Sequence, residues 1–108
     1  MISALLCVLS GSAVITIILR NTISFLGYNA STPMDELLHQ RFMREASELS
    51  MSNVRAGKGG PFAAIIVREN AILARGTNLV TSTNDPTAHA EIVAIREACR
   101  TLGSFQLD

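Results

Sequence analysis

At 108 residues the chain has room for one domain, and its nine Lys and Arg balance nine Asp and Glu. That balance excludes recruitment of nucleic acid or an acidic membrane surface by bulk charge. The two cysteines, Cys7 and Cys99, lie far apart in unlike contexts, which argues against a disulfide framework and for a reduced, cytoplasmic setting.

Met1 to Leu19 carries no charged residue. Read as a helix it would span roughly 28 Å, close to the hydrocarbon core of a bilayer. Ser3, Ser10, Gly11, Ser12 and Thr16 dilute its hydropathy. Two readings stand open for residues 1–33. One is an apolar, transmembrane helix, with Arg20, Arg41 and Arg44 holding the rest of the chain in the cytoplasm. The other is a spurious extension ahead of a domain that starts at Met34. A cleaved signal peptide is disfavoured, because no basic residue precedes the apolar run.

Leu38, Phe42, Ala46 and Leu49 recur at helical spacing, which predicts an amphipathic helix over Asp35–Arg55. Gly57, Gly59, Gly60 and Pro61 end it in a turn. Phe62 to Val67 is a short apolar run rich in β-branched residues, expected as a strand buried on both faces. Glu69-Asn70 makes a hairpin turn into a second strand over Ala71–Arg75. Gly76 to Asn84 reads as a polar loop. Asp85 is expected to cap a second helix and Pro86 to open it. Ala88, Ile92, Ile95, Cys99 and Leu102 form its apolar stripe, and Gly103 ends it. Leu107 is expected to begin a third strand. The order α-β-β-α-β predicts a layered α/β fold.

His89 falls in the first turn of the second helix, with Glu91 about 200° further around the axis. A neutral imidazole ligates zinc, and a carboxylate beside an activated water can move protons. A catalytic zinc needs three protein ligands, and neither remaining donor fits. His39 has no partner at ligand spacing. Cys99 lies on an apolar stripe, where a buried thiol is the favoured reading. By residue type alone, His89 and Glu91 are best read as a solvated helix start.

The surrounding residues change that balance. Gly59-Gly60-Pro61-Phe62-Ala63-Ala64, Thr83-Asn84-Asp85-Pro86-Thr87-Ala88-His89-Ala90-Glu91 and Leu102-Gly103-Ser104-Phe105-Gln106-Leu107-Asp108 resemble segments of zinc-dependent deaminases of the cytidine deaminase superfamily. Within it, the resemblance is to the bacterial guanine deaminases, and it runs from Met34 to Asp108. It implies a three-layer cytidine deaminase-like fold and a hydrolase of purine metabolism that converts guanine to xanthine and ammonia. It also implies a zinc ion, a small purine base as partner and a homodimer, while the balanced charge leads to the expectation of no nucleic-acid partner. His89 would be the zinc ligand and Glu91 the catalytic proton shuttle. Asn78 would contact the base, Ala90 would offer backbone polar groups, and Phe62 would wall the pocket.

The family's Pro-Cys-x-x-Cys does not follow Glu91 here, so the expectation is a truncated fold (α-β-β-α and the start of a third strand), inactive as it stands. The alternatives are a tRNA adenosine deaminase-like or cytidine deaminase-like chain, or a membrane-tethered, non-catalytic remnant.

Overall fold

The computed structural model describes residues 2–9, 12–19 and 33–107. The apolar helix expected at the N-terminus is not formed. Strands β1 (Ile2–Leu9) and β2 (Ser12–Leu19) occupy that stretch and pair antiparallel. Val14-Ile15-Thr16-Ile17-Ile18 supplies the reason. An unbroken β-branched run loses side-chain freedom in a helix and suits a pleated surface. Among the described residues no helix is long and apolar enough to cross a membrane. Residues 20–32, which belong to the same expected segment, lie outside the described residues.

Helix α1 (Pro33–Arg55) follows, then strands β3 (Phe62–Arg68) and β4 (Ala71–Thr77). A short helix α2 (Val80–Thr83) and a longer α3 (Ala90–Leu102) complete the order. The strands form one sheet in the order β1-β2-β3-β4, with β2 parallel to β3 and β3 antiparallel to β4. Glu69 and Asn70 join the last two strands with φ of 51° and 63°. Positive φ at both positions suits the right-handed twist of a two-residue hairpin. The register shifts between Ile66 and Val67, so Leu73 is the extra residue of a bulge.

β3 lies in the middle layer, as its unbroken apolar run predicted. Successive side chains alternate between two cores. Ile65 and Val67 pack with Phe42 and Ala46 of α1. Ala64 and Ile66 pack with Ala74, Ala90, Ala94 and Ala98, on the α3 side. The result is the expected α/β/α layering.

The buried stripe of α1 runs Phe42, Ala46, Ser50 and Asn53, with Leu38 and Leu49 half-buried. The stripe expected for α3 is displaced. Its buried residues are Ala90, Ala94 and Ala98, while Ile92, Ile95 and Cys99 are half-buried. Proximity selects for size here. A Cβ at Gly76 of β4 would lie 2.1 Å from the Ala90 carbonyl oxygen and 2.4 Å from the Ala94 nitrogen. Only small residues permit so close an approach of helix and strand.

Leu107, the last described residue, packs against the Ala64–Ala98 core.

Candidate functional site

The residues singled out from the sequence gather where β3 begins, β4 has just ended and α3 starts. The Asn78 amide donates to the Phe62 carbonyl (3.2 Å), which fixes the loop after β4 against the first residue of β3. Asn78 Oδ1 accepts from the Val80 amide at 3.3 Å and turns the chain into α2. The Leu79 amide donates to the Ala88 carbonyl at 2.9 Å, bringing the start of α3 alongside the same loop. Phe62 is 40% exposed, so its ring faces outward from an otherwise buried strand.

Asp85 does not cap the helix. Its Oδ1 accepts from the Thr87 amide (2.8 Å) and the Thr87 hydroxyl (2.7 Å), and its carbonyl accepts from the Ala88 amide at 3.0 Å. Asp85-Pro86-Thr87-Ala88 is therefore a turn ahead of the helix, and α3 opens at Ala90. The reason is local competition. An aspartate that bonds its own backbone two residues on favours a turn over a helix start. Arg96 reaches back from α3 to Asp85 Oδ2 (3.6 Å) and to the Thr87 hydroxyl (3.3 Å). The Thr87 hydrogen bonds, with Arg96 adding to them, hold the Asp85 carboxyl below its ordinary value.

His89 is the residue that caps α3, with extended backbone at φ −68° and ψ 155°. Its carbonyl accepts the first helical bond, from the Val93 amide at 2.9 Å. Its side chain makes no capping hydrogen bond and is exposed. Ala90 is 1% exposed, wedged against Gly76. Glu91 follows, half-buried in the first turn, where the partial positive charge of the helix end favours a carboxylate. Ala90 thus anchors the helix start while His89 and Glu91 flank it.

A zinc ion does not fit these residues alone. Among the described residues no group of three His, Cys, Asp or Glu could hold a metal. His89 supplies at most one of the three protein ligands that a catalytic zinc uses. Cys99, free and half-buried on α3, adds no second one. Among the described residues, clefts of about 290 and 180 Å³ are not lined by His89, Glu91, Asn78 or Phe62.

Asn53 and Arg96 escaped the sequence reading. The one available signal was Asn53's place on the Phe42-Ala46-Ser50 stripe, where a buried carboxamide must find hydrogen-bond partners.

Residues 36–108 match the model of the cytidine and deoxycytidylate deaminase zinc-binding region. The chain is 56% identical to guanine deaminase of Bacillus subtilis (strain 168) over 70 residues, covering 65% of this chain and 45% of that protein. It is 50% identical over 48 residues to the tRNA-specific adenosine deaminase of Aquifex aeolicus, covering 44% of this chain and 32% of the relative. The X-ray structure of the Bacillus subtilis guanine deaminase superposes with a TM-score of 0.63 over 65% of this chain and 45% of its own. The chain therefore spans less than half the length of each of these relatives.

Proposed function

The chain belongs to the cytidine and deoxycytidylate deaminase zinc-binding family, and from that membership we propose that residues 34–108 carry one side of a purine-base deaminase site. The reaction is hydrolytic: guanine and water give xanthine and ammonia. The observation that carries this reading is the 56% identity to a guanine deaminase over 70 residues. His89 is the zinc ligand of the set. Glu91 holds the proton between attacking water and departing amino group, which asks for a carboxylate near the reacting carbon. Asn78 contacts the base, Ala90 presents its backbone, and Phe62 walls the pocket with its half-exposed ring.

The tRNA-specific adenosine deaminase of Aquifex aeolicus is less identical to the chain, at 50% against 56%, and nine basic against nine acidic residues offer a tRNA backbone little. The free base is the better reading.

Because the described residues lack a full zinc donor set, the chain by itself is expected to hold zinc well below one equivalent and to release no ammonia from guanine. Metal analysis and an ammonia assay on the purified chain test this, and stoichiometric zinc with turnover would overturn it. Base binding is tested separately. Guanine should shift the Phe62 and Asn78 amide resonances of the chain, and their indifference to guanine sinks the base-site reading.

A further inference from the structure

Asn53 is a buried polar side chain that the proposed chemistry does not use. It is 4% exposed near the end of α1. Its Nδ2 donates to two carbonyl oxygens from distant parts of the chain, Gly60 at 3.1 Å and Asn78 at 2.9 Å. Gly60 belongs to the turn that leads into β3, and Asn78 to the loop that leaves β4. The N–H of the same residue, Asn78, donates to the Phe62 carbonyl. Asn78 is therefore gripped at its amide by the start of β3 and at its carbonyl by α1.

Space around this grip is minimal. A Cβ at Gly59 would lie 2.1 Å from the Asn78 carbonyl oxygen and 3.1 Å from Asn78 Oδ1. No side chain at position 59 fits between the turn and the loop. The chemistry also selects asparagine. One NH₂ group carries two hydrogens, which suits two carbonyl acceptors. An aspartate would set a charged acceptor against two carbonyl oxygens, and a leucine would leave both without a donor.

We propose that Asn53 is a positioning residue for base recognition: it fixes the peptide of Asn78, and so the direction in which the Asn78 carboxamide meets the purine. The proposal rests on the reading of Asn78 as a base contact.

The test is a double-mutant cycle on the full chain, reading guanine affinity from amide-resonance titration. Asn78→Ala and Asn53→Asp should each weaken binding by about tenfold, and the double variant should bind no worse than Asn78→Ala alone. Asn53→Ser, which keeps one donor, serves in the same cycle if the aspartate variant does not fold. Additive losses in the double variant overturn the proposal alone, because Asn53 would then act through the fold at large. Unchanged binding in Asn78→Ala overturns the base-contact reading and the proposal with it. Sub-additive loss supports both.

Discussion

The two faces of β3 are built on opposite plans. Toward α1 the strand meets Phe42, with Leu38 and Met43 packed alongside, and large side chains fill the volume. Toward α3 it meets alanines, and at Gly76 the helix backbone nearly touches β4. The first face gives burial, which scales with apolar area. The second gives up area for closeness, and it is the one that positions His89, Ala90 and Glu91. Stability and site geometry are thus divided between opposite sides of a single strand.

The comparison breaks most clearly if the two faces respond alike to substitution. Phe42→Ala should cost about 3–5 kcal/mol in urea unfolding, the range for removing a buried aromatic ring. In the protein that still folds, the amide resonances of His89 to Glu91 should stay in place. Gly76→Ala should cost about 3 kcal/mol through overpacking, and here the same resonances should move. If Phe42→Ala displaces them as much as Gly76→Ala does, the division of labour is wrong.

A milder probe is pH. The Asp85 carboxyl titrates below its ordinary value, so its contribution to folding is complete above the pKa of an unfolded aspartate. It is lost as pH falls through the folded-state pKa. Thr87→Val removes the hydroxyl bond to Oδ1 and should raise the Asp85 pKa toward the ordinary value, as a carboxyl carbon NMR titration would read. An unmoved titration curve would show that the turn does not depend on that hydroxyl. The smallest effect belongs to the exposed Arg75–Glu45 ion pair on the α1 side. Glu45→Gln should change stability by no more than about 1 kcal/mol.

Much of this architecture was legible in the residues. The period of α1, the apolar run of β3, the Glu69-Asn70 turn and the placement of His89 and Glu91 at a helix start all read directly. Other elements did not, for particular reasons. A charge-free N-terminal run suits a membrane helix and a pair of strands equally by hydropathy, and only the β-branched stretch from Val14 to Ile18 separates them. The buried face of α3 follows steric closeness to Gly76, and hydrophobicity ranks Ile92 and Ile95 above the alanines that are used. Helix α2 is a single turn of Val80-Thr81-Ser82-Thr83, too short to show a period. Asn53 bonds to carbonyls 7 and 25 residues away, and no local pattern announces such partners.

The position of β3 also has a kinetic meaning. It is hydrogen-bonded on both edges, to β2 and β4, and covered on both faces, by α1 and α3. Its backbone amides can reach water only when neighbouring elements come away together, so they should exchange with deuterium at the rate of global opening. Amides near the Asp85–Thr87 turn need only a local fluctuation and should exchange early. The strand that carries no candidate chemistry beyond its first residue is thus the slow clock of the molecule, and the edge where His89 and Glu91 stand is the fast one.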